Sequence, residues 1–437
     1  MTITGWIAWN HYDAKYFIEW AIVAQNYGVL ALYQNSEKVA YMPLTPMFFI
    51  VTYLAAKEAV SIASIIGLTY ILHPIDVLRL ILKIPIIASN IIVGYYIYRR
   101  EGWDIAKLWF YGIPIWVVMW QYQFDPLMVM FMVLGVYYLL DKKLTKAGIL
   151  IGMGAAFKYV PFLTLPFILK AIKNLRDKLM FLLAFILPLA VSVTPFLILD
   201  LRDVVEKTLG FHMKRYPQML SLFNLPYVLT SYRYQGSPLI NFVWIPLFIM
   251  TYILLLWKLN VDLKDKNSVF IAFAASTLIF IIFNKVSNPQ YILWPYPFLI
   301  YFAGKWYTSK PYFKTVLISA TLIALILYPV LMFLPAAAVD RTVYVEEDAE
   351  WVPARLVVLH SFDGKARFLI SEILYYMEYF GGEVLNSLYL YFNVVGALLI
   401  IAYNLLLIYL LIRLTGLEHN KIKNFLCSLL SLREVKT

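Results

Sequence analysis

Long apolar runs separated by short polar loops organise this chain. Runs near 77–98, 105–121, 125–140, 177–199, 238–257, 268–283, 290–303, 313–334 and 387–412 reach or approach the roughly 20 residues a helix needs to cross a bilayer. The stretch 147–169 is also apolar, but Gly152, Gly154, Lys158 and Pro161 interrupt it. That pattern predicts two half-helices meeting at Lys158. The segment from Pro43 to Leu72 is apolar on both sides of Lys57 and Glu58, and each half is too short to span. It is either one long tilted helix with a buried ion pair or a hairpin that returns to its own side. Residues 1–42 contain no spanning run. They are rich in aromatic and polar side chains, including Trp6, Trp9, His11, Asp13, Tyr16, Glu19 and Trp20, as expected at a membrane interface.

These patterns predict an all-α polytopic membrane protein. The expected architecture is a bundle of about 9–11 transmembrane helices, with re-entrant or half helices and external loops. Residues 1–334 form the expected transmembrane domain. An external loop region follows at 335–386, containing Trp351, His360 and Asp363, and 387–437 holds a last helix and a basic cytoplasmic tail.

Composition agrees. The chain is 62% hydrophobic and 14% charged, against about 25% charged in soluble domains. Its net charge is 37 − 26 = +11. The excess sits mostly in short loops, which reads as a positive-inside topology signal rather than a nucleic-acid surface. Five basic clusters mark the cytoplasmic side: Arg99 with Arg100 and Lys107; 141–146; Lys170 to Lys178; Lys258 to Lys266; and Lys305 to Lys314. With 147–169 re-entrant, 121–125, 200–237, 284–290 and 335–386 lie outside, and 1–42 joins them if 43–72 does not cross. Arg79 and Lys83 then fall at the outer end of a span, where they snorkel or face an outward cleft. This arrangement gathers Asp13, Asp125, Lys158 and Lys285 on one face.

The single cysteine, Cys427, excludes an internal disulfide. No Walker motif, Gly-rich dinucleotide fingerprint, HExxH or GxSxG is present, which argues against an NTP-driven pump or a hydrolase of those kinds. Asp13 lies in NHYDAKYFIEWA and is either a helix cap or a carboxylate able to take a proton from a hydroxyl. Asp125, in QYQFDP, is an interfacial cap or a hydroxyl-binding acid. Lys158, in FKYVP, snorkels from a helix end or serves as a point charge for phosphate. Lys285 and Gln290, in NKVSNPQYILWPYP, belong either to a polar turn or to the wall of a site.

Four stretches occur in an order that resembles the GT-C superfamily of polyprenyl-phosphate-sugar-dependent glycosyltransferases. They are Asp13 with Tyr16 and YMPLTP at 41–46, then QYQFDP, FKYVP…LP and FNKVSNPQYILWPYP. The nearest look is to the first mannosyltransferase of GPI-anchor assembly and to polyprenyl-phosphomannose mannosyltransferases of bacteria and archaea. The resemblance implies an outward-facing site and transfer of a hexose, mannose at family level, from a polyprenyl- or dolichyl-phosphate donor with inversion. The acceptor would be a hydroxyl on a glycan or lipid. It implies Asp13 as base and Lys158 and Lys285 as phosphate contacts. Asp125, Gln290, Tyr16 and Gln123 become sugar or acceptor contacts. Twelve residues precede Asp13, where the family places a span, and Lys15 stands where the GPI enzymes carry a second acid. No cofactor is required by the pattern, and a divalent cation is left open. The expected location is the cell membrane of a prokaryote. Two other classes fit the same residues: a flippase for lipid-linked sugars, and an inactive relative acting as an assembly partner.

Overall fold

A computed structural model describes residues 11–36, 38–70, 74–230, 239–306, 310, 312–337, 344–347, 350–353 and 382–416. Trp6, Trp9, His360, Asp363 and Cys427 lie outside the described residues, as do most of 335–386 and the tail after 416. The described chain is almost entirely helical, as the apolar pattern predicts. The first helices are α1 (His11–Tyr27), α2 (Leu44–Ile65) and α3 (Pro74–Glu101). Next come α4 (Trp103–Phe110), α5 (Ile113–Gln121), α6 (Asp125–Leu140), α7 (Leu144–Phe157) and α8 (Leu165–Ala171). The remainder are α9 (Leu175–Val205), α10 (Ile240–Lys258), α11 (Lys266–Phe283), α12 (Tyr296–Lys305), α13 (Tyr312–Ala337) and α14 (Gly382–Thr415). Two helices show how local sequence starts an element. The Asp265 carboxylate accepts from the Asn267 and Ser268 amides to begin α11, and Asn174 accepts from the Arg176 amide to begin α9.

Among the described residues, five helical stretches are long and apolar enough to cross a membrane: Leu44–Ile65, Val77–Glu101, Leu175–Lys214, Lys266–Phe283 and Asn393–Thr415. Five shorter apolar helices accompany them. α3 and α6 end together, where Arg100 donates to both oxygens of Asp141. α4 folds back along α3, its Trp109 indole donating to the Asn90 carbonyl, and α5 carries the chain on to Asp125. The start of α6 is therefore at the end of the bundle opposite Arg100. α3 extends about 39 Å back from Arg100 to Pro74, so its start reaches that same end. α2 also begins there, because the Thr45 hydroxyl donates to the Phe157 carbonyl beside Lys158 at 2.7 Å. α2 is one unbroken helix, not a hairpin, and Lys57 and Glu58 are exposed rather than a buried pair. Lys83 is buried on the first turns of α3, which removes snorkelling for that residue.

Other predicted elements shift in detail. The run at 105–121 is two helices, separated at Tyr111–Gly112, where Pro114 opens a new first turn. The run at 290–303 begins as a 3-10 turn, Pro289–Leu293, before α12. The half-helices meeting at Lys158 are present. Lys158 itself is extended (φ −155°, ψ 139°), its amide still donating to the Gly154 carbonyl at 3.0 Å. A 3-10 turn, Val160–Thr164, and α8 come next. The glycines of this stretch do not break it. They lie inside α7, and Gly148 and Gly152, one turn apart, let α9 approach. A Cβ on Gly152 would sit 2.1 Å from the Phe185 carbonyl oxygen, and one on Gly148 2.7 Å from that of Phe181. Among the described residues, strand structure is limited to a parallel bridge of β1 (Gln218–Met219) with β2 (Val286–Ser287) and an antiparallel pair of β3 (Tyr344–Glu347) with β4 (Glu350–Pro353).

Gly152→Leu is expected to cost about 1–3 kcal/mol through overpacking. The check is thermal unfolding in detergent, where a melting temperature equal to that of the native chain would refute the close α7–α9 contact.

Candidate active site

The site grows from three chain breaks in apolar surroundings. The first is the turn Tyr122–Phe124 between α5 and α6, with Tyr122 left-handed at φ 53°. It sets Asp125 at the start of α6, completely buried. The second is the extended residue after α7, which releases Lys158 from the helix. The third is the 3-10 turn before α12, which supplies Tyr291 and Trp294. These converge. The Lys158 ammonium lies 2.8 Å from Asp125 Oδ1, and the Trp294 indole donates to the same oxygen at 2.5 Å. The ammonium also sits over three rings, Phe124 at 5.1 Å, Tyr291 at 4.8 Å and Trp294 at 5.0 Å, within cation–π range. Its side chain is 12% exposed. Asp125 Oδ2 has no hydrogen-bond partner among the described residues, so one oxygen of this carboxylate is left as an acceptor.

Asp13 lies in the first turn of α1 and accepts from the Gln123 amide at 2.5 Å. From the first helical turn it thus makes a tertiary bond to the turn that carries Asp125. Burial raises the proton affinity of the Asp13 carboxyl. Lys38, the Gln123 hydrogen bond, Arg215 and Lys158 oppose that rise, in that order. The net direction is upward, toward the range where a carboxylate works as a base. Tyr41 lies within the fields of Asp13, Tyr291, Arg215 and Asp125. Burial first, then Asp13, holds its hydroxyl well above the usual phenol value, so it stays a neutral donor. Tyr16 is buried, with the Lys38 ammonium 4.7 Å above its ring.

Lys285 is placed differently from Lys158. It is 3% exposed and its ammonium donates to the Met213 carbonyl at 2.8 Å. Burial, with help from Arg215, lowers its pKa to about 8. Its contact anchors the segment that carries Arg215. Gln290 is buried on the 3-10 turn, and no side-chain hydrogen bond of Gln290 is seen among the described residues. Among those residues no group of three or more His, Cys, Asp or Glu comes together as a metal site would require.

Three groups were not singled out from the sequence. Arg215 lies over the Phe211 ring at 5.3 Å and donates to the Gln218 amide oxygen. Lys38 lies over Phe211 at 5.2 Å as well as over Tyr16. His212 bonds the Ala40 carbonyl through Nε2 at 2.9 Å. A signal for two of them was available. FHMKRYP places His212, Lys214 and Arg215 in a segment assigned to the outside, where the positive-inside rule disfavours basic residues.

An acid of raised proton affinity thus faces a group of cations at one end of a membrane helix bundle. The sequence model of glycosyltransferase family 87 matches residues 60–284, just over half of the chain. The chain belongs to glycosyltransferase family 87. It is a membrane glycosyltransferase. The family match takes in Gln123, Asp125, Lys158 and Arg215, and stops short of Asp13, Tyr16, Lys285 and Gln290. No curated protein matches the chain.

Removing Lys158 leaves Asp125 buried without a counter-charge. Lys158→Met is expected to destabilise the protein by about 3–5 kcal/mol. Adding Asp125→Leu to it should restore most of that loss. Thermal unfolding of the two single variants and the double variant measures the coupling, and simple additivity would show that the pair does not act as a unit.

Proposed function

We propose that this family 87 glycosyltransferase moves a hexose from a polyprenyl-phosphate donor to an acceptor hydroxyl on the external face of a prokaryotic cell membrane, inverting the anomeric carbon. Mannose is the sugar that the motif resemblance favours. Asp13 takes the hydroxyl proton as the acceptor oxygen attacks the anomeric carbon. The bond from that carbon to the phosphate oxygen breaks, and the phosphate leaves with the electron pair as polyprenyl phosphate. Arg215, Lys38 and Lys158 carry the positive field in which that charge develops, the kind of fixed electrostatic support that lowers a barrier most. Gln123 orients Asp13, Tyr16 supports Lys38, and Lys285 anchors the Arg215 segment. The free oxygen of Asp125 is suited to a sugar hydroxyl, with Gln290, buried on the turn that carries Tyr291, as a second contact. The observation that carries the reading is Asp13 itself, a carboxylate whose proton affinity is raised by burial while three cations stand around it.

Transfer from labelled polyprenyl-phosphomannose in proteoliposomes tests it. Asp13→Asn should lower turnover by about a hundredfold or more while leaving the melting temperature near native. Near-native transfer by that variant would refute Asp13 as base. Arg215→Gln should lower turnover by a comparable factor, about a hundredfold. It is expected to do so without moving the pH dependence to that of an Asp13-free enzyme.

The pH profile has a definite sign. A base works only when deprotonated, and the pKa of Asp13 is raised. Activity should therefore fall on acidification with a midpoint above the ordinary carboxylate value. An acid limb at or below the usual aspartate range would contradict the environment described for Asp13.

A further inference from the structure

Residues Leu175–Lys214 form a nearly continuous apolar helical stretch. At 1.5 Å per residue its length is about 60 Å, twice the roughly 30 Å hydrocarbon core. Leu175 through Leu199 already measures about 37 Å, enough to cross. The helix then breaks at Asp200 (φ −156°, ψ 78°), whose carboxylate accepts from the Asp203 amide at 3.0 Å and restarts the next turns. Residues 201–214 lie beyond the crossing part, at the end of the bundle where the site is built.

This segment has two faces. One faces the site: Val204 and Thr208 are buried, Lys207 donates to the Ser36 carbonyl at 2.6 Å, and His212 bonds the Ala40 carbonyl. The other presents Leu201, Val205, Leu209 and Met213, one per turn, at 60%, 42%, 52% and 59% exposure. A water-facing external segment rarely lines four large apolar side chains in one row. The row is continuous with Leu183, Leu187, Val191 and Ile198, exposed apolar residues on the crossing part of the same helix. Arg202 and Lys214 flank it and both are exposed, basic groups of the kind that pair with lipid phosphates.

We propose that the Leu201–Val205–Leu209–Met213 face is a membrane-interface docking surface, seated on the headgroup–acyl boundary of the outer leaflet. Asp200 turns the helix from crossing the bilayer to lying along it. Seated there, the segment holds Arg215 at headgroup depth, beside the plane in which a lipid-linked phosphate arrives. The proposal rests on the chain's residence in a membrane and not on the transfer reaction, and its readout needs no activity.

Single nitroxide labels introduced by Val205→Cys, Leu209→Cys and Met213→Cys, with Glu206→Cys as the reference, test it in a Cys427→Ser background. The protein is reconstituted in phosphatidylcholine–phosphatidylglycerol vesicles. Collision with oxygen over collision with a water-soluble nickel chelate should be several-fold higher at 205, 209 and 213 than at 206. Ready access of nickel at all four positions would overturn the proposal by showing the face to be in water. Exclusion of both oxygen and nickel at 205, 209 and 213 would also overturn it, by showing the face to be covered by a second copy or another protein.

Discussion

A carboxylate with no exposed surface must be neutralised by a partner of fixed geometry, and Asp125 imposes that requirement here. An ionised group left unpaired in an apolar interior costs several kcal/mol. Lys158 meets the requirement, and it does so from a helix that has ended. Trp294 adds a donor from a third segment. Three places where the chain departs from regular helix are therefore locked to one oxygen atom. The aromatic rings around the ammonium make the same point from the other side, since Phe124 and Tyr291 flank the partners in sequence and close over the pair in space.

The remaining wall is built by backbone. Residues 207–224 are tied on one side to the loop 36–40, through Lys207 and His212. On the other side they join 284–287, where the Gln218 amide donates to the Lys285 carbonyl, the Leu220 amide to that of Ser287 and the Ser221 hydroxyl to that of Asn284. The two-residue parallel bridge is thus a clasp and not the start of a sheet. It brings Arg215 and Lys38 over to Asp13, and the buried Lys285 ammonium reinforces it from beneath. The opposite end of the bundle is closed by pairs of its own, Arg100 with Asp141 and Glu101 with Lys266. The site end gathers Lys38, Lys158 and Arg215 around Asp13, with Lys158 also paired to Asp125.

The helical class, the membrane setting and the half-helices at Lys158 were legible in the sequence because each depends on local pattern: run length, breaker position and the cost of an isolated charge. So was the convergence of Asp13, Asp125 and Lys158, since loop charge assigns sides and sides limit which loops meet. The sequence could not reveal that Lys57 and Glu58 are exposed on one unbroken helix. A charged pair interrupts the apolar run in the same way whether the segment is a hairpin or, as here, a continuous 22-residue helix. It also could not separate the two lysines. Lys158 and Lys285 look alike as single ammonium groups near apolar runs, yet one faces a carboxylate and the other a backbone carbonyl. Arg215 and Lys38 join the site through tertiary packing of segments about 175 residues apart in the chain, a separation that periodicity does not address. Local pattern determines which residues are costly to bury; only the packed bundle decides which partner makes each burial tolerable, because that choice depends on distances of a few ångströms between remote segments.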